Sequence, residues 1–118
     1  MTESELQREI MKAVTAAGGR VFRNNTGQGW VGQYTKCTER RNGHHDVLIS
    51  NARPLHAGLC VGSSDLIGFY RGRFLAIECK SARGRPTEEQ QNFLDEVTRN
   101  GGIGIVARSV EDVLERLR

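Results

Sequence analysis

The stretch Asp65-Leu-Ile-Gly-Phe-Tyr-Arg-Gly-Arg-Phe-Leu-Ala-Ile-Glu-Cys-Lys80 decides the fold. Two strand-like apolar runs flank Arg71-Gly72, and a two-residue turn at that point makes them a β-hairpin. Such a turn sets Asp65 directly across from Glu78. Side chains alternate along a strand, so Glu78 and Lys80 share one face while Cys79 takes the other. Cross-strand neighbours stand ~4.5–5.5 Å apart at Cβ, where two carboxylates repel unless something cationic lies between them. Both runs are apolar on both faces, Ile67 and Phe69 against Leu66 and Tyr70, Phe74 and Ala76 against Leu75 and Ile77. That predicts a sheet covered on both sides, with its charges gathered at a cleft edge. The plainer alternative is a turn aspartate next to a surface ion pair of Glu78 and Lys80.

Upstream, Leu6, Ile10, Ala13, Val14 and Ala17 recur at the helical period, and Gly18-Gly19 stops the helix. Arg20 to Arg23 reads as a short strand, and Asn24-Asn25-Thr26-Gly27-Gln28-Gly29 as turn chemistry. Residues 30–60 are the least readable: Trp30-Val31 and Val47-Leu48-Ile49 are candidate strands of an inserted hairpin, with Arg40-Arg41-Asn42-Gly43 as its turn. Downstream, a basic segment from Ser81 to Pro86 leads into Thr87-Glu88-Glu89-Gln90, a capping box opening a helix striped by Phe93, Leu94 and Val97. Asn100-Gly101-Gly102 ends that helix, residues 103–107 form a strand, and Ser109 caps a last helix with Val110, Val113, Leu114 and Leu117 inward. The expected class is α/β, a mixed β-sheet flanked by helices in the order α-β-β-β-α-β plus a C-terminal helix.

A chain of 118 residues holds one core, so a single domain over residues 1–118 is expected. No apolar run nears the ~20 residues that cross a bilayer, and the N-terminus is polar and acidic, so a cytoplasmic location is expected. Cys37, Cys60 and Cys79 make no disulfide framework. With His44, His45 and His56 nearby, a zinc site organised by Cys37, His44, His45 and Cys60 is an alternative, although no standard finger spacing is met. The net charge of +3 is mild, yet the basic residues cluster at Lys36, Arg40 and Arg41, at Arg71 and Arg73, and at Lys80, Arg83 and Arg85. That favours a polyanionic partner, while any single cluster also reads as solvated surface.

Two converging carboxylates suit a hard, oxygen-loving ion such as Mg²⁺, which keeps several waters, one of them able to act as a nucleophile. Lys80 is then placed to polarise that water or to neutralise charge developing on a phosphate. Asp65, a gap of twelve residues, then Glu78-Cys79-Lys80 resembles the Asp…(Asp/Glu)-x-Lys signature of the PD-(D/E)XK nucleases, with Ser64 where many members have proline. The wider pattern is similar to the VRR-Nuc branch, standalone phage type. It is carried by Glu5-Leu6-Gln7, Arg23-Asn24-Asn25-Thr26-Gly27, Gly62-Ser63-Ser64-Asp65-Leu66-Ile67-Gly68, Ala76-Ile77-Glu78-Cys79-Lys80 and Thr87-Glu88-Glu89-Gln90. Residues 30–60 match only loosely.

The resemblance implies a restriction-endonuclease-like core and a phosphodiesterase, using Mg²⁺ or Mn²⁺, that acts on branched DNA such as a Holliday junction. It implies that Asp65 and Glu78 bind the metal, that the main-chain carbonyl of Cys79 completes the shell, and that Lys80 serves the water. Gln90 would stand beside the site, although it is also the third helical residue of the capping box begun by Thr87, and both readings stay open. The family's first-helix glutamate is assigned to Glu5; Glu9, one turn later, is the alternative, but lies beside Ile10 and Ala13 on the core stripe. Arg83 and Arg85 could hold phosphates, and Asn24 and Asn25, with Gly27, could bring the backbone close to DNA. Trp30 either stacks a base or fills a core gap, and Cys79 reads as packing. A two-fold junction needs two such centres, which a homodimer would supply. The competing function is a non-catalytic DNA-binding module with a nuclease-like fold.

Overall fold

The computed structural model describes residues 1–25, 27–39 and 42–118. Along the chain run α1 (Glu3–Ala16), β1 (Arg20–Arg23), β2 (Gly27–Glu39), β3 (His45–Ala57), β4 (Leu66–Tyr70), β5 (Arg73–Cys79), α2 (Glu88–Arg99), β6 (Ile103–Ala107) and α3 (Val110–Leu117). They fall into two units: a body, Met1–Thr26 with Gly58–Arg118, and an arm, Gly27–Ala57.

In the body, the β4–β5 hairpin sets the register. Arg71 and Gly72 take φ of 49° and 76°, the consecutive left-handed residues that a tight hairpin turn needs. Leu66 therefore pairs with Ile77 and Ile67 with Ala76, as predicted. β1 joins β4 antiparallel, while β6 returns through α2 to join β5 in parallel, giving the order β1-β4-β5-β6. β5 has a partner on each side and every residue from Leu75 to Cys79 is buried, which is why that run is apolar on both faces.

Helices cover both faces. Leu6, Ile10 and Val14 of α1 and Val113 and Leu117 of α3 share a core with Leu66, Leu75, Ile77, Cys79, Ile103 and Ile105. On the other face α2 lies over β5 and β6 with Leu94 buried. Gly104 permits its approach: a Cβ there would stand 2.6 Å from the Leu94 carbonyl oxygen. Thr2, Thr87 and Ser109 cap the three helices by accepting the backbone N–H of Glu5, Gln90 and Asp112. Towards β1, Phe22, Phe69 and Phe74 are exposed. This is the α/β class expected, a mixed sheet between helices and compatible with a restriction-endonuclease-like core.

The arm is an antiparallel ribbon running from the Gly27–Ala57 pair to the Glu39–His45 pair, with register shifts between Val31 and Gln33 and between Lys36 and Thr38. Each strand has 13 residues, far more than the short segments predicted. Trp30, Tyr34 and Leu48 are 63%, 69% and 61% exposed, so Trp30 fills no core gap. A strand with no buried face has no reason to alternate apolar and polar residues, and its period vanishes. Gly27 already belongs to β2, which shortens the expected turn before it; Thr26 of that turn, and Arg40 and Arg41 of the expected arm turn, lie outside the described residues. Among the described residues, no helix is long and apolar enough to cross a membrane.

Candidate active site

The hairpin register carries Asp65 and Glu78 to one end of the central strands. Asp65 Oδ2 accepts the backbone N–H of Cys79 at 2.8 Å. Glu78 is 2% exposed, and its Oε1 accepts from Gln90 Nε2 at 3.1 Å and pairs with Lys80 Nζ at 3.5 Å. Its Oε2 is buried with no hydrogen-bond partner. A buried, unpaired carboxylate oxygen is costly, and such an atom marks a place built for something else. Burial pushes the Glu78 carboxyl up to about 7; the charge of Asp65 adds to the rise, and Lys80 opposes it. A divalent cation between the two carboxylates would relieve that cost.

Gln90 makes two contacts at once. Its Oε1 accepts the backbone N–H of Thr87 at 2.9 Å, closing the capping box, while its Nε2 reaches Glu78. The cap therefore fixes the rotamer that points the amide at the site. Cys79 turns into the opposite core, where burial first, and then Asp65, Glu78 and Glu3, push its thiol up to about 12. It stays a protonated packing residue, as expected, and not a nucleophile.

The VRR-NUC domain model matches residues 40–111, which include Asp65, Glu78, Lys80 and Gln90. The chain belongs to the VRR-NUC domain family. Among curated proteins none matches it. Membership of a VRR-NUC nuclease family gives the chain a nuclease-type function and DNA as its class of substrate.

Other expected site residues of this VRR-NUC chain fare differently. The acid that α1 brings towards the site is Glu3, whose Oε1 accepts the backbone N–H of Ser81 at 3.2 Å. Glu5 is exposed, with its backbone N–H engaged by Thr2 Oγ1, and Glu9 pairs with Lys12 at 3.3 Å. Helical phase explains the placement. At ~100° per residue, Glu3 falls in line with the buried Leu6, Ile10 and Val14, whereas Glu5 falls nearly opposite them. Position 3 on the core stripe was the available signal.

Asn24, expected at the DNA, has its side chain engaged within the protein. Its side chain donates to Ser63 Oγ at 2.8 Å and to the Ser64 carbonyl at 2.9 Å, and accepts from the Leu59 N–H at 3.1 Å. Asn25, Arg83 and Arg85 are exposed. Arg108 holds the loop carrying the two arginines by donating to the carbonyls of Ser81 and Gly84, a contact no local pattern announces. Ser64 is fully buried, its Oγ donating to the Leu66 carbonyl. Among the described residues no three His, Cys, Asp or Glu side chains gather at metal-binding separation. No third such side chain among the described residues gathers with Asp65 and Glu78.

Proposed function

We propose that residues 1–118 form one nuclease domain of PD-(D/E)XK type, a Mg²⁺-dependent endonuclease that hydrolyses phosphodiester bonds in branched DNA. The observation that carries this reading is the buried Glu78, with one oxygen unpartnered, facing Asp65 and flanked by Lys80. Asp65 and Glu78, with the main-chain carbonyl of Cys79, would hold the ion. Two carboxylates and a carbonyl suit a cation that retains most of its water, so the residues present fit Mg²⁺ or Mn²⁺. When bound, the ion supplies a polarised water and neutralises charge on the phosphate.

The remaining work belongs to the chain. Lys80, 17% exposed at its side chain and held against Glu78, puts an ammonium where negative charge grows on the phosphoryl oxygens. Gln90, clamped by its cap, keeps the Glu78 carboxylate in one orientation. Arg83 and Arg85 bind flanking phosphates and set the position of the strand without reading sequence. As the water oxygen bonds to phosphorus it gives up a proton to solvent, the bond to the leaving oxygen breaks, and that oxygen takes up a proton from solvent.

The preference for branched DNA rests on the resemblance of the sequence to phage-type VRR-Nuc proteins, and a homodimer would offer a two-fold junction two centres. Incubation with a four-way junction, a flap and a linear duplex, in Mg²⁺, Mn²⁺ or EDTA, tests the proposal. Cleavage is expected only with metal, and best on the branched substrates. Asp65→Asn and Glu78→Gln should each lower the rate by at least ~100-fold, the scale of losing a group that acts in the transition state, while circular dichroism and DNA affinity hold. Cleavage of wild-type strength in both variants, or in EDTA, sinks the proposal.

A further inference from the structure

We propose that Asn24 is a positioning residue of the centre, setting Asp65 through the loop that precedes it; the inference rests on reading Asp65 and Glu78 as the cation-binding pair. The Asn24 carboxamide donates to Ser63 Oγ and to the Ser64 carbonyl, and accepts from the Leu59 N–H. Its own backbone N–H donates to the Asp65 carbonyl at 2.8 Å. The loop it grips is closed from within. Ser63 Oγ donates to the Cys60 carbonyl at 2.7 Å, and Ser63 and Ser64 are 3% and 0% exposed. Residues on both sides of Asp65 are tied as well, since Ser64 Oγ donates to the Leu66 carbonyl. Asp65 lies just before β4, and the bond from the Asn24 N–H carries the β1–β4 register one residue further to reach it, so both the backbone and the side chain of Asn24 act on this loop.

Asparagine suits the place because a carboxamide offers two N–H donors and an acceptor together. Alanine would release Ser64 and Leu59 at once, and aspartate would set a carboxylate oxygen against the Ser64 carbonyl. Partners that orient a ligand without touching the ion matter to affinity roughly 10- to 100-fold.

The test is calorimetric titration of Mn²⁺ into DNA-free protein, alongside DNA binding measured in EDTA. Asn24→Ala should bind Mn²⁺ roughly 10- to 100-fold more weakly while its DNA affinity in EDTA and its circular dichroism stay those of wild type. Wild-type Mn²⁺ affinity in the folded variant overturns the proposal. So does weakened DNA binding with Mn²⁺ affinity intact, which would make Asn24 a DNA contact. If Asn24→Ala does not fold, Ser63→Ala, which removes one acceptor of the same amide, carries the titration with the same expectation. A wild type that binds no Mn²⁺ instead sinks the metal reading itself, a result visible before any substitution is made.

Discussion

Glu78 brings a charge that the fold does not solvate. Its carboxyl titrates at about 7 in the folded chain and at about 4.5 when free, so folding favours the protonated form. Stability from this group is complete below the free value and lost as pH rises through 7. Metal-free protein should therefore lose on the order of 3 kcal/mol between pH 4.5 and 8, at about 1.4 kcal/mol for each tenfold difference in proton affinity between the folded and free carboxyl. Glu78→Gln should flatten that slope, and added Mg²⁺ should restore the lost stability at pH 8. Thermal melts over this range check it; a melting temperature independent of pH in wild type would contradict the buried-charge account. Glu78 and its neighbours were legible in the sequence because strand alternation and a two-residue turn are local rules. Glu3 was legible in principle, from its phase with Leu6 and Ile10, but Thr2-Glu3-Ser4-Glu5 also carries a capping pattern that hides it. Asn24 was not legible, since its partners lie 35 to 40 residues away and leave no periodic trace.

At the scale of elements, α2 does two things with one surface. Its N-terminus aims Gln90 at Glu78, and its body settles on β6 through Gly104. Gly104→Ala would drive a methyl group into the Leu94 carbonyl, and backbone cannot yield as a side-chain tip can. A loss of about 2–3 kcal/mol is expected, the upper range for overpacking. Chemical denaturation would measure it, with a smaller fall in cleavage as α2 lifts Gln90 from the site; an unchanged midpoint would refute the close approach. The helices were readable because each buries one face and so writes its period into the sequence, and the central strands because, covered on both sides, they stand out as short apolar runs bounded by turn residues. The ribbon of β2 and β3 buries neither, and the sequence between Trp30 and Cys60 showed only fragments of it.

For the whole molecule, two questions concern assembly. If the chain pairs to meet a two-fold junction, sedimentation equilibrium at micromolar concentration should return twice the chain mass of 13.1 kDa. A single-chain mass would remove the dimer. The second concerns the arm, none of whose described residues enters the buried core. Replacing Gly27–Ala57 by a short glycine-containing turn should leave a folded body whose melting temperature moves by only a few degrees. A chain without cooperative melting would show that the arm supports the body after all.

The hydrogen bond from the Leu59 N–H to Asn24 has one more consequence. It stitches the outgoing and returning strands of backbone side by side, like the two edges of a buttonhole, within three residues of either end of the arm. Whatever sequence is spliced between them meets a seam already sewn, and the cost of closing an insert there rises only slowly with its length. A protein built this way can exchange one appendage for another while the acid beyond the seam keeps its place.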